Sequence, residues 1–183
     1  MNIMENKPFL FKGLLAAILL LMLSACQGKD DGFQILVYTD LPQDAVLTGK
    51  NKLIDGNFVD QEVQLQLYPG MLERLMVDIV SHTGDILIIE KEMLPSILDP
   101  IGLEALDVVV DEDGEEIESE LWAEDEDGME RIYAIPIPME HPIFNGVPFQ
   151  NELVAVIPKY GDDREKAFTI LRQFIVDTSL VQP

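Results

Sequence analysis

The sequence predicts an α/β domain built on one central sheet, mixed and mostly parallel, with flanking helices and an acidic β-hairpin. Three observations predict it. Short apolar runs bounded by turn residues recur at Phe33–Thr39, Asp85–Ile89 and Leu153–Ile157, as expected for strands covered on both faces. Amphipathic stretches of helical period lie between or after them, at Met71–Ser81 and Asp162–Asp177. Val63–Ile89 reads as strand–helix–strand, a crossover that joins parallel strands.

Phe33-Gln34-Ile35-Leu36-Val37-Tyr38-Thr39 is the first strand, ended by Asp40-Leu41-Pro42. Gln43–Asn57 carries no clear pattern. Val63–Tyr68 alternates with period two, placing Val63, Leu65 and Leu67 inward. Pro69-Gly70 breaks it, and a helix follows from Met71 to Ser81. Its inward stripe is Leu72, Leu75, Met76, Ile79 and Val80, with Glu73, Arg74 and Asp78 facing out. Gly84 suits the C-terminal cap, and His82 at the helix end suits the helix dipole. Glu90–Leu98 reads as a short helix, with Pro95 acceptable only in its first turn. Glu116–Glu124 and Met129–Ile137 are expected to pair as a hairpin with Asp127-Gly128 at its turn. Pro136, Pro138 and Pro142 make the following stretch extended and irregular. In the last helix Ala167, Ile170, Leu171, Phe174 and Ile175 repeat at helical spacing, with Asp162 as N-cap and Glu165 completing a capping box.

The N-terminus has a different logic. Lys7 and Lys12 precede the apolar run Leu14–Leu23, and Leu23-Ser24-Ala25-Cys26 follows. A positive segment, an apolar segment and small residues at a cleavage site form an export signal. The apolar run is too short for a spanning helix, which needs about 20 residues. Leu23-Ser24-Ala25-Cys26 resembles the lipobox of bacterial lipoproteins. That resemblance implies cleavage before Cys26, a diacylglyceryl group on its thiol and anchoring by acyl (palmitate-type) chains. Residues 1–25 are then a signal peptide, 26–32 a tether, and 33–183 the domain. The expected location is the outer, extracytoplasmic face of a cell membrane.

Composition narrows function further. The 183 residues carry 12 basic and 34 acidic side chains, a net charge of −22. Removing residues 1–25 takes away Lys7, Lys12 and Glu5 and leaves −23. Such a surface repels nucleic acid and anionic headgroups, so no nucleic-acid partner is expected. Cys26 is the single cysteine, which rules out an internal disulfide and leaves no thiol for catalysis or a zinc cluster. His82 and His141 stand apart from other soft ligands. No nucleophile elbow, phosphate loop or HExxH helix occurs. The acidic stretch Asp111–Glu130 fails the calcium-loop pattern: Gly114 at position six puts Val109 at position one, and Gly128 puts Ala123 there. Neither a metal, a cofactor nor an enzymatic activity is expected.

The order of segments resembles the extracellular solute-binding proteins of bacterial importers, which also follow a lipobox. The resemblance rests on Phe33–Asp40, on Met71–Asp99, on Gly128-Met129-Glu130-Arg131-Ile132-Tyr133-Ala134-Ile135-Pro136, and on Ile157-Pro158-Lys159 followed by Glu165-Lys166-Ala167. Those proteins close two lobes on a ligand. Here the connection from Pro136 to Leu153 leaves no room for a second lobe, so the resemblance implies a shortened, one-lobe relative accessory to uptake. Its ligand is expected outside the carboxyl ends of the strands, at Tyr38, Thr39, Asp40, Glu90 and Lys91, with Trp122 and Tyr133 as aromatic neighbours. The alternative is an interaction lipoprotein whose partner is an envelope protein rather than a small solute.

Overall fold

A computed structural model describes residues 32–40, 63–110, 117–138 and 151–179. The signal segment, Cys26, most of the tether, Gln43–Asn57, Asp111–Glu116 and His141 lie outside the described residues. Gly32–Pro183 forms one compact unit.

The main sheet has five strands: β1 (Phe33–Tyr38), β2 (Val63–Tyr68), β3 (Ile86–Glu90), β6 (Ile135–Ile137) and β7 (Leu153–Val156), in the order β2-β1-β3-β7-β6. β1 pairs parallel with both β2 and β3, whereas β7 pairs antiparallel with β3 and with β6. Four strands therefore run one way and β7 alone runs against them. The strand–helix–strand unit closes over β1 rather than joining neighbours, because β1 is inserted between β2 and β3. Burial explains the placement: every residue of β1 is buried, whereas β2 is mostly half-buried and takes the edge. The other edge is β6, where Pro136 points outward; proline has no N–H for a further ladder, so an edge tolerates it.

Alternation splits the sheet residues into two cores. Ile35, Val37, Ile86, Ile88 and Ala155 pack with Ala167, Phe168, Leu171 and Phe174 of the C-terminal helix α2 (Arg164–Ser179). Leu36, Tyr38, Leu87, Ile89, Val154 and Val156 pack on the opposite face with Leu75 of α1 (Leu72–Val80) and with Met93, Leu94 and Leu103. Burying a leucine or isoleucine is worth about 1.5–3 kcal/mol, so these layers carry a domain without a disulfide.

Several local expectations are corrected. In α1, Leu75 is buried and Leu72 and Ile79 are half-buried, but Met76 and Val80 are 40% and 75% exposed and Asp78 is buried. The helix is rotated toward Asp78 because the sheet offers that carboxylate a hydrogen-bond donor, described below. α1 ends in a Schellman motif: Thr83 N–H donates to Asp78 O at 2.9 Å and His82 N–H to Ile79 O at 3.1 Å. The left-handed residue of that motif is His82, at φ 53°, not Gly84. His82 stacks on Tyr160 at 4.9 Å. Gly84, at φ 91°, instead lies against Leu36, where a Cβ would come 2.7 Å from Leu36 Cδ1. Lys91–Ser96 is a 3-10 helix with Pro95 inside it, since proline would break an α-helix at that depth. The N-cap of α2 is Asp163, whose Oδ1 accepts from Lys166 N–H at 3.0 Å. Asp162 lies one residue too early, and Glu165 falls at the second helical position rather than the third, so no capping box forms.

β4 (Trp122–Glu124) and β5 (Glu130–Ile132) form a separate antiparallel pair joined through residues 125–129, with Gly128 at φ 78°. Asp125 organises this turn: its Oδ1 accepts from the N–H groups of Asp127 and Met129, both at 2.9 Å. Those donors, chiefly Met129 N–H, hold the Asp125 carboxyl below the usual carboxylate range, helped by Arg131.

Candidate binding site at the carboxyl ends of the strands

The parallel strands β2, β1 and β3 end side by side, and their next residues converge. Tyr38 pairs with Tyr68 on one side and Ile89 on the other, so Thr39, Pro69-Gly70 and Glu90 follow at one level. Thr39 N–H donates to Tyr68 O at 3.1 Å, fixing the turn out of β1. Thr39 and Glu90 are both buried. Thr39 Oγ1 donates to Glu90 Oε1 at 2.8 Å, and Asp40 N–H reaches the same oxygen at 3.2 Å. Asp40 Oδ1 in turn accepts from Gly70 N–H at 3.2 Å. Gly70 is what makes room, because a Cβ there would sit 2.9 Å from Glu90 Oε1 and 3.1 Å from its Cδ. Three of the expected residues, Thr39, Asp40 and Glu90, are thus one hydrogen-bonded group, with Gly70 as a fourth member that sequence reasoning missed.

The group presents carboxylate oxygens and one hydroxyl. Glu90 is 7% exposed, and among the described residues no cation pairs with it. A buried carboxylate without a counter-charge is costly. The chemistry such a group offers is acceptance of hydrogen bonds from hydroxyls or an amine.

The remaining expected residues stand elsewhere. Tyr38 is wholly buried on the opposite face of the sheet. Its hydroxyl donates to Asp78 Oδ2 at 2.8 Å, and its ring stacks on Tyr68 with centroids 5.4 Å apart. Burial, reinforced by the Asp78 carboxylate, pushes its phenol far above the usual range. Arg74 donates from Nε to Asp78 Oδ2 at 2.8 Å and lies 4.5 Å over the Tyr68 ring. Asp78 is therefore a buried, doubly bonded carboxylate that the sequence places on a polar face. Its position one turn after Leu75 and four residues after Arg74 was the available signal.

Lys91 points away to three carboxylates, Glu118, Glu120 and Glu152, at 2.7, 2.5 and 3.1 Å. Their hydrogen bonds push its ammonium well above its ordinary range. Trp122 is half-buried, packs on both cores and donates from Nε1 to Ile117 O at 3.2 Å. Tyr133 is 2% exposed, and burial raises its phenol. Among the described residues, no hydrogen bond or ring contact links either aromatic residue to Thr39, Asp40 or Glu90. Likewise, no cluster of three or more His, Cys, Asp or Glu among them could hold a metal ion. No helix among the described residues is long and apolar enough to cross a membrane.

No family model matches the chain, and no solved structure matches it. A curated protein of Bacillus subtilis (strain 168), named "Putative lipoprotein YteS", is 25% identical over 155 residues, covering 84% of this chain and 88% of that protein. This similarity, spanning most of both chains, supports a lipoprotein.

Proposed function

We propose that the chain is a non-enzymatic lipoprotein, anchored by a diacylglyceryl group on Cys26 to the outer face of a cell membrane. Its folded domain is a solute-binding-like module, accessory to uptake, that meets its ligand at Thr39, Asp40 and Glu90. The similarity to a lipoprotein, together with Leu23-Ser24-Ala25-Cys26, carries the anchoring. Two acyl chains on one residue hold stably, at about 0.8 kcal/mol per buried methylene, where a single chain does not. The buried Glu90 carboxylate beside Thr39 and Asp40, which pairs with no cation among the described residues, supports a ligand that donates hydrogen bonds, an amine or a polyol.

Two experiments test this separately. Cys26→Ala should release the chain from membranes, and globomycin should leave uncut precursor; a Cys26→Ala chain that stays tightly membrane-bound refutes the anchor. A thermal-shift screen with sugars, amines and peptides should find a stabilising ligand whose effect disappears in Glu90→Gln. No shift at millimolar concentrations refutes the solute site and leaves the envelope-protein reading, which crosslinking of neighbours then addresses.

A further inference from the structure

We propose that Lys91 is an electrostatic clasp that holds the turn before β4, and with it the indole of Trp122, against the ends of β3 and β7. The Lys91 side chain is 18% exposed and directs one ammonium at three carboxylates from two separate pieces of chain. Glu118 immediately precedes the 3-10 turn Ser119–Leu121 and Glu120 lies within it, and the turn leads directly into Trp122. Glu152 immediately precedes β7, and its carbonyl oxygen also accepts Lys91 N–H at 2.9 Å. One side chain therefore ties three segments that are distant in sequence.

The surroundings make the tie conditional. The charged groups that meet the ammonium are Glu118 and Glu120 on the turn and Glu152 at the entry to β7, while Glu90 and Glu92 are its neighbours in sequence. All of these neighbours are acidic. With the ammonium screened or removed, Glu118, Glu120 and Glu152 repel one another and the turn is pushed off. Isolated surface ion pairs contribute little, but a network converging on one group is the exception. The turn is otherwise held by Leu121, which is buried and whose carbonyl accepts Tyr133 N–H at 3.0 Å, and by Trp122 Nε1 on Ile117 O. Release of the turn therefore alters the setting of the indole while the sheet stays intact.

The sign of the pH dependence follows. Lys91 holds the Glu118 carboxyl below the ordinary range, so the clasp is closed above the ordinary carboxylate pKa and opens as pH falls through the lowered one. The ammonium is pushed up, so the clasp stays closed well into alkaline solution.

Trp122 is the chain's one tryptophan, which gives a direct readout in the full chain held in detergent micelles. Acrylamide quenching of Trp122 at neutral pH should rise about two-fold between ~20 mM and ~1 M salt, over which the screening length falls to about 3 Å. Lys91→Met keeps the apolar stem and should show the higher quenching already at low salt, with no further response. Lys159→Met removes the same charge from a lysine that instead bonds Pro100 O, and should behave as wild type. A Lys91→Met chain that matches wild type at low salt, or that still responds to salt, overturns the clasp. If far-UV circular dichroism shows that Lys91→Met does not fold, Glu120→Gln decides: raised quenching at low salt supports the clasp, and an unchanged value overturns it.

Discussion

Gly70→Ala should change sign with the residue opposite it. The backbone at Gly70 is outside the left-handed region, so alanine meets no conformational penalty there. By itself the substitution should stabilise by about 0.4–1 kcal/mol, because it restricts the unfolded chain. The new Cβ, however, would lie 2.9, 3.1 and 3.2 Å from Oε1, Cδ and Oε2 of Glu90. Glu90 cannot simply swing away, since Oε1 holds Thr39 Oγ1 at 2.8 Å and Asp40 N–H at 3.2 Å in a buried place. Displacing it strains or breaks two bonds to a charged acceptor, each worth about 1.5–3 kcal/mol when fully lost. With partial retention, the net cost in the native background is about 1–2 kcal/mol. In a Glu90→Ala background the obstacle is gone and the intrinsic gain returns. Urea unfolding of the four chains, followed by far-UV circular dichroism at unchanged slope, gives the coupling, expected near 2 kcal/mol. Equal effects of Gly70→Ala in both backgrounds would refute the packing of Glu90 against Gly70, and with it the geometry of the proposed site.

Three further outcomes test the fold away from that site. Gly84→Ala should destabilise by about 3 kcal/mol in urea unfolding, because it meets both a positive φ and a Cβ contact of 2.7 Å with Leu36; a loss under ~1 kcal/mol would contradict it. Asp163→Ala should cost about 1 kcal/mol as a lost N-cap, while Asp162→Ala should stay within about 0.5 kcal/mol; the reverse order would restore the cap expected from sequence. Asp125 has a lowered native pKa, so its contribution is present above the unfolded value near 3.9 and lost as pH falls through the native one. Asp125→Asn should therefore flatten the loss of stability between about pH 5 and 2, read as the urea midpoint at each pH; parallel profiles for the two chains would refute it.

These tests fall on the boundary between what the chain shows locally and what only its partners decide. Strands were legible where apolar residues recur without a break, as in β1, β3 and β7, because burial on both faces writes itself into every position. The direction of β7 was not legible, since an apolar run reads the same from either end. Nor was the insertion of β1 between β2 and β3, which depends on which strand loses most at an edge. Thr39, Asp40 and Glu90 could be named from the rule that ligands meet open α/β sheets beyond the carboxyl ends of strands. Gly70 could not, because its role is defined by a carboxylate twenty residues later in the chain. Asp78 shows the same limit from the other side. Its local pattern assigns it to solvent, and the Tyr38 hydroxyl, forty residues earlier, draws it inward. A buried hydrogen bond to a charged acceptor is worth about 1.5–3 kcal/mol, comparable to burying one more aliphatic side chain such as Val80. That balance explains why α1 leaves Val80 and much of Met76 in water while enclosing a carboxylate. Periodicity counts only the hydrophobic side of the balance, so it errs where a polar side chain has a distant, specific partner.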